Sequence, residues 1–315
     1  MHINKFLFFL LLLLFNCQDQ ETSFTPNEPI DNNNNNNVVL EDLGRGLFYQ
    51  TFNEKIIPIY YYIPNNVNSS TPVVFNIHGG ARDGESTRNM MEDKADQYGF
   101  IIVAPEISNV NFPGGDGFNL GNVYVDGDNP TPESLNDVNE WAFSIIEPIF
   151  DIFLASTNTN VDRYHLFGHS AGAQFVHRFM LFNPNGRYDK ILTSAAGWFT
   201  VLDNNIQFPY GLNNSILKQE SPLSNNSYLI DILSKNHIVQ VGTLDNDPDF
   251  PGLRHNEFAD AQGLHRVDRA IHFYNQAQDF AQTNSLSFNW TLNIINGLSH
   301  NTGDSIEYGC DLIFN

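Results

Sequence analysis

The chain has 315 residues, 41% of them hydrophobic, with 36 acidic against 15 basic side chains and a formal charge of −21. The apolar content is enough for a sizeable core and excludes a disordered chain. The charge excludes nucleic acid, which needs a basic face to displace its counterions. It also disfavours anionic membrane surfaces and strongly sulfated or uronate substrates, unless a local basic pocket intervenes.

In chain order, the first signal is MHINKFLFFLLLLLFNC, with Lys5 ahead of an unbroken apolar run from Phe6 to Phe15. Ten helical residues span about 15 Å, half a bilayer core of about 30 Å, so residues 1–17 read as a signal segment rather than a membrane anchor. Cys17 follows directly, with Gln18, Asp19, Gln20 and Glu21 behind it. This resembles a bacterial lipoprotein signal in which Cys17 becomes the lipidated first residue, although Phe15 and Asn16 are larger than usual there. Plain secretion is the alternative, and sequons at Asn68, Asn213, Asn225 and Asn289 are compatible with it. Either way the chain is exported, and the lipid is its expected link to an outer membrane. After Cys17 only Cys310 remains, so no intramolecular disulfide is expected.

Residues 18–42 contain the run Asn32 to Asn37 and show no periodicity; they read as a disordered tether to one domain at 43–315. GLFYQTFN and KIIPIYYYIP predict a hairpin. Short apolar runs then alternate with helical stretches. PVVFNIH precedes a helix at 90–98, and FIIVAP a long helix at 135–155. YHLFGHS leads into a helix at 171–181, and ILTSAAG is followed by a helix near Leu229. HIVQVGTLD precedes a helix at 262–282, and FNWTLNIIN precedes a short C-terminal helix. Strands interleaved with helices predict an α/β fold, a mostly parallel sheet covered on both faces. Ligands of such sheets bind at the carboxyl ends of the strands.

The candidate chemistry falls at those ends. In GHSAG, Ser170 lies between Gly168 and Gly172, where a strand pattern becomes a helix pattern. A serine hydroxyl needs a base and a clear line of approach, which a sharp strand-to-helix turn provides where glycines relieve the crowding. The helix then aims its N-terminus and the Ala171 N–H at developing negative charge. His78-Gly79-Gly80 follows another strand, so the N–H of Gly80 or Ala81 is the expected second oxyanion donor; His78 itself reads as structural. His300, on the loop after the last strand, is the expected base. His169 should face away from the site. Asp245 follows HIVQVGTL and is the expected acid by position, with Asp247 and Asp249 as alternatives. The DNDPD stretch alternates like a calcium loop, but Phe250 and Asn256 stand where Gly and Glu are required. With no zinc motif and no nucleotide loop, neither metal nor cofactor is expected.

The order Ser170, Asp245, His300, with HGG upstream and GHSAG at the turn, resembles the α/β-hydrolase superfamily over residues 45–315. YHLFGHSAGAQFVHRF and SAAGWFT are similar to secreted esterases near the polyhydroxybutyrate depolymerase and feruloyl esterase group. The resemblance implies an α/β-hydrolase fold and an acyl-serine intermediate, with Asp245 holding His300 and His300 moving the proton. It implies a serine carboxylester hydrolase whose partner is an ester substrate, small or polymeric, such as ester-decorated polysaccharide or aryl esters. A polyester depolymerase, a serine peptidase and an inactive binding protein are the alternatives. The chain departs from many secreted members in lacking a disulfide pattern. Phe112, Phe118 and Tyr124 in one loop, and Trp198, Phe199 and Tyr210 in another, are expected at the rim; Phe118, Trp198 and Tyr210 are the candidate substrate contacts.

Overall fold

The structure, a computed structural model, describes Leu40 and residues 43–218 and 227–315. The signal segment with Cys17, nearly all of the Asn-rich tether and the sequon at Asn225 lie outside the described residues.

Eight strands form one sheet: β1 (Gly44–Phe52), β2 (Lys55–Ile63), β3 (Val73–Ile77), β4 (Ile101–Pro105), β5 (Tyr164–His169), β6 (Tyr188–Ser194), β7 (Asn236–Gly242) and β8 (Thr291–Ile295). Their spatial order is β1-β2-β4-β3-β5-β6-β7-β8. The first two form the expected hairpin, turned at Asn53 and Glu54, both with positive φ. β2 lies antiparallel to β4, and every pairing from β4 to β8 is parallel. This is the predicted mostly parallel α/β sheet. β3 and β4 are buried at every position, as strands covered on both faces must be.

Alternation along β3 divides the core. Val73, Phe75 and Ile77 join the larger cluster, whereas Val74 packs on the other face with Ile102, Phe167 and Leu192. On the larger side lie α1 (Ile146–Ser156) and α2 (Ala171–Phe182); Phe150, Phe153, Phe175 and Phe179 are fully buried there, each worth about 1.5–3 kcal/mol. On the other side the C-terminal helix, Thr302–Phe314, contributes Ile306, Cys310 and Ile313. Burial pushes the free Cys310 thiol up to about 12, so it is an inert core group.

Three helix expectations shift. The long helix of 135–155 keeps only its second half as α1; 132–134, 138–140 and 142–145 are short 3₁₀ turns. Local polar groups claim the backbone there: Asn122 donates to Glu140 O, Trp141 Nε1 donates to Asn136 O, and Tyr124 bridges to Leu135. The helix at 90–98 starts at Glu92 and runs to Tyr98, and a separate short helix that was not expected, Gly84–Asn89, capped by Asp83, precedes it. The helix at 262–282 starts at Arg266, because His265 caps it by accepting from Asp268 N, and runs to Thr283.

Candidate active site

Strands β5, β7 and β8 run parallel and end on the same side of the sheet, with β6 between the first two, and the loops leaving them carry Ser170, Asp245 and His300. Ser170 has φ 56° and ψ −116°, a conformation that costs a non-glycine residue about 1–3 kcal/mol. Two features hold it there. Its N–H donates to Ser194 O at 2.9 Å, and its flanking glycines let backbone approach backbone. A Cβ on Gly168 would stand 2.4 Å from Gly172 O, and one on Gly172 would stand 2.2 Å from Ile77 O. Both positions therefore require glycine, for the steric reason read from the sequence.

The acid and base arrive together because their loops interlock. Leu244 N donates to Leu298 O, Gly297 N donates to Thr243 Oγ1, and a Cβ on Gly242 would fall 2.0 Å from Leu298 O. His300 Nδ1 then lies 2.7 Å from Asp245 Oδ2, and His300 Nε2 lies 3.1 Å from Ser170 Oγ. Asp247 and Asp249 stay exposed on the outer turn, where Asp247 Oδ1 accepts from Asp249 N. The geometry separates Asp245 from both.

Four residues that sequence reasoning missed fix this array or line its cavity. Arg266 Nη1 donates to Asp245 Oδ1 at 3.2 Å, and both side chains are buried, at 4% and 1% exposure. Asp245 thus gives one oxygen to the arginine and the other to the imidazole. Phe250, at the sixth position of the calcium-like stretch, sets its ring edgewise to His300 at 4.8 Å and carries the Arg266 guanidinium over its face at 4.4 Å. Contrary to expectation, His169 does not face away from the site: its ring lies 4.6 Å from that of His300, and its Nδ1 is 3.1 Å from Thr302 Oγ1. Burial first, then the neighbouring His300 and Arg266, hold its pKa well below the usual value, so it packs as a neutral ring. Gln174, one turn after Ser170 on α2, lines the cavity floor.

A cavity of about 530 Å³ opens at Ser170 and His300, and Gly80, Ala81 and Ala171 line it beside the hydroxyl. The Gly80 and Ala81 amides have no protein acceptor among the described residues. Nothing lies within 4 Å of where a Gly80 Cβ would stand, so that glycine keeps cavity space open. His78 is buried; its Nε2 accepts from Ile107 N at 2.9 Å, its Nδ1 meets Gly79 O, and burial lowers its pKa to about 4. It braces the loop from beneath.

Known structures share this arrangement of strands. A poly(aspartic acid) hydrolase-1 from Sphingomonas sp. KT-1 is 30% identical, with a TM-score of 0.78 over 87% of this chain and 100% of that one. The chain belongs to the α/β-hydrolase superfamily. A poly(3-hydroxybutyrate) depolymerase from Bordetella parapertussis is 27% identical, with a TM-score of 0.77 over 87% of this chain and 91% of that one. An S-formylglutathione hydrolase from Agrobacterium tumefaciens, 14% identical at a TM-score of 0.53 over 88% and 97% of the two chains, shares the fold alone. No family model matches the chain, and no curated protein matches it. With its two nearer relatives the chain is a hydrolase of the esterase and depolymerase group.

The rim of this α/β-hydrolase differs from expectation. Phe112, Phe118, Tyr124 and Phe199 are buried in the core. Phe118 stacks between His78 and Phe175 behind the cavity wall rather than lining it. Tyr210 is buried against Trp198 and Phe258, its hydroxyl accepting from Arg254 and Asn256. Trp198 borders a side cavity of about 200 Å³ that meets the main one at Asn119, Gln174, Gly197 and Gly252, whereas Tyr124 lines a separate cavity whose walls include neither Ser170 nor His300. The aromatic rings pin the loops, and polar groups of the same loops face the cavity.

Proposed function

We propose that the chain is an exported serine carboxylester hydrolase working through an acyl-serine intermediate. The observation carrying this reading is the in-line contact of Ser170 Oγ, His300 and Asp245 at 3.1 and 2.7 Å, on a strained turn that opens to a cavity. Ser170 Oγ attacks the ester carbonyl carbon while His300 Nε2 accepts its proton, and Asp245 stabilises the imidazolium through Nδ1–H. The oxyanion takes hydrogen bonds from the Ala171 N–H and from Gly80 or Ala81. His300 returns the proton to the departing alkoxide, then activates water against the acyl-enzyme. The natural ester is one of a polysaccharide or an aryl alcohol. A second reading, a depolymerase, is favoured because both nearer relatives are named for polymers.

Among the described residues no helix is long and apolar enough to cross a membrane, and we attribute membrane attachment to a lipid on Cys17. The chemistry is tested with a fluorophosphonate probe. Intact mass should rise by one equivalent in wild type and stay unchanged in Ser170→Ala, while ester hydrolysis falls by roughly 10⁶, the scale for loss of a triad nucleophile. Labelling of a different serine would overturn the assignment.

A further inference from the structure

In a chain of charge −21, the walls of the main cavity carry no aspartate or glutamate among the described residues, yet include Arg82 and Arg266. Arg266 is neutralised by Asp245. Arg82 is not neutralised. Its Nη1 donates to Ile107 O at 2.6 Å and to Phe112 O at 3.3 Å, its Nη2 donates to Gly114 O at 2.7 Å, and no carboxylate pairs with it among the described residues. The guanidinium stacks over Phe118 at 4.0 Å, which fixes its plane and leaves Nε–H and one Nη2–H unspent. Arg82 itself has φ 58°, so the backbone is strained at the residue that delivers this charge.

The floor adds a second donor. Gln174 is 7% exposed, and among the described residues its carboxamide makes no hydrogen bond. Its Oε1 is shut off from solvent, which leaves Nε2 as the end that meets the cavities. Beneath it Arg178 is wholly buried, with Nη1 on the carbonyls of Asn119 and Gln174 and Nη2 unpartnered. The side cavity is different, because Asp116 and Arg254 both line it.

We propose that the main cavity recognises an ester carrying a carboxylate on its acyl or alcohol part, held by Arg82 and Gln174 Nε2 while Ser170 attacks the ester carbonyl. Donors dominate the groups that remain free there, so the ligand is an acceptor. The unpaired positive charge selects an anionic one. A cation surrounded by an acidic surface also explains how so negative a protein can take such a substrate, since the local contact is desolvated and outweighs a field that salt screens over about 8–10 Å.

The inference rests on the serine-hydrolase reading, and the test separates the two. Wild type is assayed on mono-p-nitrophenyl adipate against p-nitrophenyl hexanoate, and on 3-(4-acetoxyphenyl)propanoate against its primary amide, with enzyme-free rates subtracted. In at least one pair the anionic ester should have the higher kcat/KM by about tenfold or more, the scale of a charge-assisted contact. Arg82→Gln and Gln174→Leu should each lower that ratio by about tenfold, and Arg82→Lys should retain part of it. Because Arg82 also ties the 107–114 loop, Gln174→Leu is the variant that decides if Arg82→Gln fails to fold. A ratio at or below one in both pairs, or a ratio unmoved in the folded variants, overturns the carboxylate site while leaving the hydrolase intact. If no ester is turned over, the carboxylester reading fails. Titration of adipate into Ser170→Ala then decides the site alone: saturable binding weakened by Arg82→Gln supports it, and no binding overturns it.

Discussion

The corner where β5, β7 and β8 end and the loops facing it across the cavity are built on different principles. At the corner, backbone lies on backbone: Gly172 against Ile77 O, Gly242 against Leu298 O, Leu244 N on Leu298 O. Across the cavity, side chains hold the loops, with Arg82 on three carbonyls, Phe118 between two rings, and Tyr210 joining Arg254 to Asn256. Backbone packing fixes positions to fractions of an ångström with few residue choices, which suits groups that exchange a proton. Side-chain pinning tolerates replacement, which suits a wall that selects a substrate.

The sharpest break of this contrast lies within one turn at the corner. Asp245→Asn keeps the shape of the side chain but removes the acceptor that orients His300, and kcat should fall by roughly 10³–10⁴. Asp247→Asn and Asp249→Asn should remain within about tenfold of wild type, since a surface amide for a carboxylate costs little. Parallel kcat/KM measurements on a short p-nitrophenyl ester, with circular dichroism as the fold control, decide the matter. A large loss at Asp247 or Asp249 instead would move the acid along the loop.

Arg266→Met should have the next largest effect, because it leaves Asp245 buried with only His300 against its charge. Removing one partner of a buried pair costs about 3–5 kcal/mol. Urea unfolding should show that loss, and kcat should fall as Asp245 Oδ1 loses its anchor. An unchanged midpoint would mean that the pair contributes nothing. At the wall the expected effect is smallest: Tyr210→Phe removes the acceptor of Arg254 and Asn256 and should cost about 1–2 kcal/mol. Its kcat on a neutral ester should stay near wild type, and a collapse of kcat would show that wall and corner are not separable.

The same contrast explains what could be read from the residues alone. Gly168, Ser170 and Gly172 are legible because their constraint is local, five residues bending one turn. Asp245 and His300 are legible because chain order in a parallel sheet sets which strand end each loop leaves. Arg266, His169 and Phe250 carry no such mark, since each acts through a ring or carboxylate brought up by another loop. Aromatics such as Phe118 and Tyr210 look alike in a loop whether they point inward or outward. Their direction is settled by His78, Phe175 and Phe258, which the local sequence does not contain. The helix of 135–155 fails for a related reason, because Asn122 reaches its backbone from outside the periodic stretch.

The Ser170 hydroxyl and the His300 ring lie 130 residues apart in the chain, and β8, which delivers the ring, is an edge strand of the sheet. Closing so long a loop is entropically slow, and an edge strand has one neighbour to template it. During refolding the proton path is therefore completed no sooner than β8 docks on β7, so enzymatic activity lags behind the return of helical and sheet signal. Activity in this chain reports a finished sheet, whereas circular dichroism counts a partly assembled one as well.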